Sequence, residues 1–153
     1  FVACYADLNH FKPFNDHYGY WRGDEMIRLV AKVLVAHCDA QRDFVGHVGG
    51  DDFVVLFQSS DWLPRCEGIV EEFRHLARGL YEESAREAGG IDAEDRDGHP
   101  RFFPLTTLAV GAVRIQRGAC RSAEEVATHA ALAKHEAKRH GDGLRVCVTA
   151  VAT

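Results

Sequence analysis

Three aspartates stand at the ends of two apolar segments, where their carboxylates could act together. Asp7 closes the stretch FVACYAD, and Asp51 and Asp52 follow two glycines directly before the apolar run FVVLF. If these segments are antiparallel strands, the end of one adjoins the start of the other, and Asp7 meets Asp51 at one sheet edge. Two close carboxylates repel, so one must take a proton or a cation must lie between them. Such oxygen ligands suit Mg²⁺ bound together with nucleotide phosphates.

The same residues also have a plainer interpretation. Gly-Asp sequences are common in hairpins, so the stretch GGDD over 49–52 could be a solvated acidic turn. Asp7 is harder to explain in this way, because an acid at the buried end of an apolar strand is costly unless it is paired. The nine histidines show no H-E-x-x-H or similar spacing, which argues against a histidine metal site.

The hydrophobic pattern predicts strands and helices in mixed order around these acids. A short helix and a turn are expected over 9–23, and an exposed charged loop over 91–100. Asp24 would begin its helix, where a carboxylate can act as the cap. The order predicts an α+β fold of ferredoxin-like or palm type, a mostly antiparallel sheet flanked by helices. Strands are expected at 1–8, 43–48, 53–57, 102–115 and 144–151, and longer helices at 24–36, 64–89 and 123–139.

Composition indicates one ordinary globular domain over 1–153, with 46% hydrophobic and 27% charged residues. The net charge of −5 argues against a general nucleic-acid surface, although a single nucleotide needs only a local cluster. Five scattered cysteines without a C-x-x-C pair favour a reducing, cytoplasmic setting over a disulfide framework or a zinc site. No apolar run is long enough to span a bilayer, so no membrane contact is expected. Because the chain opens inside a strand, we expect it to be excised from a longer multidomain protein.

The segments around the acids resemble the signature of the GGDEF family, the diguanylate cyclases. Members typically read D-x-D-x-F-K-x-x-N-D-x-x-G-H-x-x-G-D and then G-G-[DE]-E-F. This chain reads ADLNHFKPFNDHYGYWRGD and then HVGGDDF, a GGDDF variant, and AKRHG resembles the family's closing A-K-x-x-G. The matching positions are Asp7, Phe11, Lys12, Asn15, Asp16, Gly19, Gly23, Asp24, Gly49, Gly50, Asp51 and Phe53.

The resemblance implies a metal-dependent phosphoryl transfer in which two GTP condense into cyclic di-GMP. Asp7, Asp51 and the Leu8 carbonyl would ligate Mg²⁺ or Mn²⁺. Asp51 and Asp52 would be the catalytic acids, and Lys12 would offset charge on the triphosphate. Each of two facing copies would hold one GTP, so the active form would be a transient homodimer.

The resemblance also implies how the nucleotide is bound and what accompanies the domain. Asn15 and Asp24 would read the guanine edge, since an amide both donates and accepts and a carboxylate accepts from N1–H. Phe11 would complete the substrate site, and Lys138 would hold phosphate. Each role has an alternative, because Asn15 could simply close its helix and Lys138 could be a solvated helix residue. Family members are often joined to N-terminal sensor domains or to an EAL-type phosphodiesterase domain.

Four departures from the family pattern bear on activity. Asn9 replaces the second aspartate of the first motif, and Asp52, one methylene shorter than glutamate, could reach a metal only through water. Asp142 stands where arginine is usual, which removes a charged hydrogen bond to phosphate. In the stretch AQRD, Ala40 replaces the arginine of the R-x-x-D product-inhibition site, while Asp43 remains and Arg42 is shifted. We therefore expect no product inhibition through this site.

Two other functions stay open at this point. A catalytically weak or inactive GTP-binding module could regulate an attached domain, an interpretation that Asp52 and Asp142 favour. A palm-type cyclase using ATP is also conceivable, because GGDD marks palm domains of CRISPR-associated proteins. The guanine-reading spacing of Asn15 and Asp24 counts against that third interpretation.

Overall fold

The computed structural model describes residues 1–140 and 143–148, which contain seven strands and five α-helices. The strands are β1 Val2–Asn9, β2 Phe44–Gly49, β3 Asp52–Phe57, β4 Gly90–Glu94, β5 Pro100–Pro104, β6 Thr107–Arg114 and β7 Leu144–Val148. The helices are α1 Phe11–Tyr18, α2 Tyr20–His37, α3 Trp62–Ala77, α4 Glu83–Ala88 and α5 Ala123–His140, with a 3₁₀ turn at Arg78–Leu80.

Five strands form the central sheet in the order β2-β3-β1-β6-β7, and β4 and β5 form a separate hairpin. β1 is antiparallel to both of its neighbours, whereas β6 and β7 are parallel. This arrangement confirms the prediction of an α+β fold with a mostly antiparallel sheet.

The two faces of the sheet carry different helices. Even-numbered residues of β1, among them Cys4 and Leu8, pack in the main core with side chains of α2 and α3 such as Val30 and Phe73. Odd-numbered residues point to the other face, where Ala3 packs against α5. Alternation along β1 thus places Asp7 on the α5 side of the sheet.

The predicted start of the first long helix was wrong. We expected it to begin at Asp24, but α2 begins at Tyr20, so Asp24 lies inside the helix and does not cap it. Gly19, with a φ of 88°, makes the break between α1 and α2 in a single residue. The sequence pattern predicts a turn at residues 20–22 (YWR), between Gly19 and Gly23, whereas these residues form the start of α2.

The region after α3 differs most from the prediction. The helix expected from Pro64 to about 89 is divided into α3, the 3₁₀ turn and α4. The charged loop expected over 91–100 is instead the first strand and the turn of the β4–β5 hairpin. The long strand expected over 102–115 is two strands, β5 and β6, because the chain turns between Pro104 and Thr107. None of the helices among the described residues has the length and apolar character needed to cross a membrane.

Candidate active site

The pairing of β1 with β3 brings the three aspartates to one edge of the sheet. Ala6 lies opposite Phe53, so Asp7 lies beside the turn that holds Asp51, and Asp52 begins β3. Oxygen atoms of the three carboxylates lie within 4.8 Å of one another. Asp7 is buried, with 7% of its surface exposed, and the other two are half-buried. The convergence expected from the sequence is therefore present.

Proximity and burial change the protonation of the first two acids. Burial, together with the hydrogen bond and the charge of Asp7, raises the pKa of Asp51 to about 7. Burial also disfavours the charge on Asp7, but hydrogen bonds from Asp51 and Lys138 and the charges of Lys138 and Lys134 hold the pKa of Asp7 below its usual value. The two carboxyls therefore titrate as a pair, in which burial and the charge of Asp7 favour the neutral form of Asp51.

Two lysines from consecutive turns of α5 face these acids. The Nζ atom of Lys138 lies 2.7 Å from Asp7 Oδ2 and 3.2 Å from the Leu8 carbonyl oxygen. The Nζ atom of Lys134 lies 3.5 Å from Asp7 Oδ2 and 3.5 Å from Asp52 Oδ1. Lys138 is among the residues predicted from the sequence, and Lys134 is not. The spacing of four residues, which places both on one side of a helix, is the signal that could have found it.

The remaining oxygen of Asp7 lacks a partner. Asp7 Oδ1 is buried and accepts no hydrogen bond from a donor group of the described residues. A buried carboxylate oxygen in this state is costly, and either a proton on Asp51 or a cation between the two acids would satisfy it. The donors at this point are all carboxylate and carbonyl oxygens, which fit Mg²⁺ or Mn²⁺ rather than a metal that prefers nitrogen or sulfur.

The acids open onto a cleft of about 780 Å³. Residues of α1 line one side, and the β4–β5 hairpin lines another with Arg101 and Phe103 among others. The Arg101 guanidinium lies 5.5 Å from the centre of the Phe103 ring. Burial and the charges of Arg101 and Lys138 lower the pKa of His10, which also lines the cleft. The hairpin thus adds an aromatic ring and charged groups of both signs to the cleft, where the sequence pattern predicts a loop over 91–100 and a strand from residue 102.

Asn15 is held at the wall of the cleft by close packing against α2. A Cβ atom on Gly23 would lie 1.8 Å from Asn15 Oδ1, so the side chain fits there only against a glycine. Asn15 Oδ1 is buried and has no hydrogen-bond partner within 1–140 and 143–148. An unpaired amide oxygen is therefore present at a wall of the cleft.

Of the other predicted substrate residues, some line the cleft and one does not. Lys12 and Phe11 line the cleft, and the exposed Lys12 Nζ lies 2.7 Å from Asp16 Oδ2. Asp24 is exposed on α2 and is not one of the described residues that line the cleft. The role of Asp24 in reading guanine thus stays a prediction.

A family comparison now bears on these residues. The family model described as "Diguanylate cyclase, GGDEF domain" matches residues 1–87, more than half of the chain. The chain belongs to the GGDEF-domain family. The match contains β1, α1 and the β2–β3 hairpin, and therefore all three aspartates of the site.

Individual GGDEF proteins are moderately similar to the chain. DgcP, a diguanylate cyclase of Pseudomonas aeruginosa, is 37% identical over 73 residues, which are 48% of this chain and 11% of DgcP. MucR, a bifunctional diguanylate cyclase/cyclic di-GMP phosphodiesterase of the same organism, is 38% identical over 61 residues, 40% of this chain and 9% of MucR. The GGDEF domain of DgcB from Caulobacter crescentus, solved in complex with c-di-GMP, superposes with a TM-score of 0.62 at 24% identity, covering 97% of this chain and 78% of that chain. The chain spans only a small part of the curated relatives' length, and the structural likeness shows the fold.

The structure describes one of the departures from the GGDEF pattern, Asn9, in detail. Asn9 lies at the end of β1, opposite Thr107, and its Nδ2 atom donates a hydrogen bond to Thr107 Oγ1 at 3.0 Å. It therefore fastens the strand end that carries Asp7. Asp142 lies outside the described residues.

Asp43, the remaining acid of the product-inhibition motif in GGDEF domains, is bound within this domain. Its carboxylate accepts hydrogen bonds from the backbone N–H groups of Asp39 at 2.8 Å, Gln58 at 2.9 Å and Ser59 at 3.1 Å. The Ser59 hydroxyl donates to both oxygens, at 3.0 and 2.8 Å. Burial disfavours the charge on Asp43, but these hydrogen bonds hold its pKa below the usual value. Asp43 thus joins the start of β2 to the end of β3.

Proposed function

We propose that this GGDEF domain condenses two GTP into cyclic di-GMP with Mg²⁺ or Mn²⁺, working as one of two facing copies. The observation that carries the proposal is the meeting of three carboxylates within 4.8 Å at the edge of a cleft of nucleotide size. In the reaction, the 3′-hydroxyl of one GTP attacks the α-phosphorus of the other, and pyrophosphate leaves. The step occurs twice, once in each direction, to close the ring.

Asp7, Asp51 and the Leu8 carbonyl would hold the divalent ion. The raised pKa of Asp51 and the buried Oδ1 of Asp7, which accepts no hydrogen bond from the described residues, support this assignment, because an ion between the two acids would stabilise the charge of the first and supply a partner for the second. The ion, when bound, supplies positive charge against the triphosphate. Asp52 is the carboxylate proposed to accept the proton of the attacking hydroxyl, since the other two acids are committed to the ion.

The cations and the amide of the cleft would bind the nucleotide. Lys138 now contacts Asp7 and the Leu8 carbonyl, and its half-exposed side chain can turn to a phosphate oxygen when a metal takes its place. Lys12, at the exposed rim, would bind phosphate after leaving Asp16. Asn15 would meet the guanine edge with its side-chain amide, whose oxygen is buried against Gly23, and Phe11 would lie beside the base. Asp24 is proposed as the second guanine reader.

Two partners follow from this function. A second copy of the domain is required, because each GTP must be attacked by the hydroxyl of the other. A further domain in the same protein, an N-terminal sensor or an EAL-type phosphodiesterase, would control when two copies face each other. The bifunctional relative MucR and the small share of each relative that the match covers support this.

The decisive assay is incubation of the domain at high concentration with GTP and Mg²⁺, with detection of cyclic di-GMP by mass. The proposal expects product from the wild type and from Asp92→Ala, an exposed acid on β4, and none from Asp51→Ala. The assay is repeated on a covalently fused dimer, so that poor encounter between copies cannot hide activity.

Other results would assign another function. GTP binding without product, in the fused dimer as well, would favour a regulatory module without turnover. Conversion of ATP instead of GTP would favour a palm-type ATP cyclase. Product that persists in Asp51→Ala would overturn the assignment of the site.

A further inference from the structure

Lys134 occupies a special position among the cations of the site. Its ammonium group lies at the same distance, 3.5 Å, from carboxylate oxygens of Asp7 and Asp52, and so bridges two of the three acids. Only 16% of the side chain is exposed. The Nζ atom also lies 4.4 Å from the centre of the Tyr5 ring, whose face attracts a cation. Lys134 is thus held from three sides, unlike the more exposed Lys138.

The backbone at Lys134 is placed by a close contact with β6. A Cβ atom on Gly111 would lie 2.0 Å from the backbone nitrogen of Lys134 and 2.2 Å from the carbonyl carbon of Ala133. Gly111 is also the register partner of Tyr5 on β1. The glycine therefore lets α5 approach the sheet where the ring of Tyr5 and the acids lie. This contact fixes the helix turn from which Lys134 reaches the site.

Three carboxylates within 4.8 Å could in principle hold two divalent ions, since paired ions in phosphoryl-transfer sites lie about 3.5–4 Å apart. One of the two positions, between Asp7 and Asp52, is taken by the Lys134 ammonium. The other lies at Asp51 and at Asp7 Oδ1, which has no hydrogen-bond partner among the described residues, and the half-exposed Lys138 contacts Asp7 at its other oxygen, Oδ2. With every group ionised, three carboxylates and two lysines leave one net negative charge. One negative charge cannot balance the four positive charges of two divalent ions, whose mutual repulsion disfavours binding of the second.

We propose that Lys134 is a positioning residue that substitutes for a second metal ion, so that each domain binds a single divalent cation, between Asp7 and Asp51. The inference rests on the metal site of the proposed function and adds its stoichiometry. Lys134 holds Asp52 by its ammonium group, and Asp52 is therefore not a ligand of the ion.

The test counts Mn²⁺ ions by electron paramagnetic resonance, with no nucleotide present, so that turnover is not needed. The wild type is expected to bind one Mn²⁺ per domain. Lys134→Met, which keeps the length and removes the charge, is expected to bind two, and the close pair should broaden the spectrum. Lys134→Arg should again bind one. Lys32→Met, an exposed lysine of α2, is the control for loss of a charge and should bind one.

Each result decides a separate question. Two ions in the wild type, or one in a folded Lys134→Met, would overturn the role of Lys134 and leave the proposed function standing. No ion in the wild type would overturn the metal site itself. If Lys134→Met does not fold, the same Mn²⁺ count is made on Asp52→Asn. One bound Mn²⁺ in this variant, as in the wild type, supports the proposal. Loss of the Mn²⁺ would identify Asp52 as a ligand of the ion and would overturn the proposal.

Discussion

The side-chain oxygen of Asn15 lies directly against the backbone of Gly23, at a distance that leaves no room for a methyl group. The two residues lie on different helices, α1 and α2, separated by the single break at Gly19. The Asn15 amide can therefore lie at the wall of the cleft only because Gly23 has no side chain. This relationship explains why α2 carries a glycine, at Gly23, three residues after its first residue.

Gly23→Ala is expected to weaken GTP binding by about tenfold or more, since a misplaced or unpaired amide costs about 1–3 kcal/mol. Alanine favours a helix more than glycine does, so loss of helix structure would not explain the effect. Binding is measured by calorimetry with a non-hydrolysable GTP analogue. Gly79→Ala is the matched control, because no atom lies within 4 Å of its added Cβ. Equal affinity of Gly23→Ala and the wild type would contradict the role of Asn15.

The stability of the metal-free domain should fall as pH rises toward neutrality, because of Asp51. Its pKa is about 7 in the folded chain against 3.8 for an ordinary aspartate. Between these values the folded state holds a proton that the unfolded state has lost, so raising the pH favours unfolding. Above pH 7 the full cost of ionised Asp51 is present. Asp51→Asn escapes this cost, and its melting temperature should exceed that of the wild type increasingly from pH 4 to pH 8.

The measurement is thermal unfolding in EDTA at several pH values. Asp92→Asn, an exposed carboxyl on β4, serves as the control. A difference between Asp51→Asn and the wild type that stays constant over this range would show that the pKa of Asp51 is not raised in the folded domain. Added Mn²⁺ should stabilise the wild type at pH 8 and leave Asp51→Asn unchanged.

Asp43→Asn should destabilise the domain by about 1–3 kcal/mol, because four donor groups lose an ionised acceptor. Urea unfolding measures the change. Arg42→Ala, its exposed neighbour, should have little effect. A neutral result for Asp43→Asn would mean that the carboxylate does not hold β2 to the end of β3.

Cyclic di-GMP should not slow the initial rate of the domain. Ala40 supplies no guanidinium, and the Asp43 oxygens are engaged by the chain itself. Initial rates are compared with and without added product, and in Ala40→Arg, where restored inhibition would locate the missing group. Inhibition of the wild type that disappears in Arg42→Ala would show instead that the shifted arginine acts in its place.

Much of the site follows from local sequence rules. Strand-like segments ending at Asp7 and beginning after Asp51 allow one antiparallel pairing that brings the acids together, and the structure has that pairing. Lys138, two residues before the end of α5, is predicted from its resemblance to the closing A-K-x-x-G motif. Lys134 is not, because one lysine among alternating apolar and polar positions has no local sign of burial. Its contacts with Tyr5 depend on packing between distant parts of the chain.

The β4–β5 hairpin shows why other parts could not be predicted. Acids and glycine between 91 and 100 are typical of a solvated loop, and the pairing of Ile91 with Phe103 is not visible in either segment alone. Arg101 and Phe103 reach the cleft only because the hairpin forms. The single-residue break at Gly19 could not be predicted either, since one glycine with a positive φ between two helices has the same sequence signal as a turn.

The most direct test of the account is a crystal of the domain grown with Mn²⁺ and a non-hydrolysable GTP analogue, with anomalous data collected at the manganese edge. The account predicts one anomalous peak per domain, in contact with the carboxylates of Asp7 and Asp51 and with the triphosphate. An ordered nucleotide in the cleft with the manganese peak away from these two acids would contradict it.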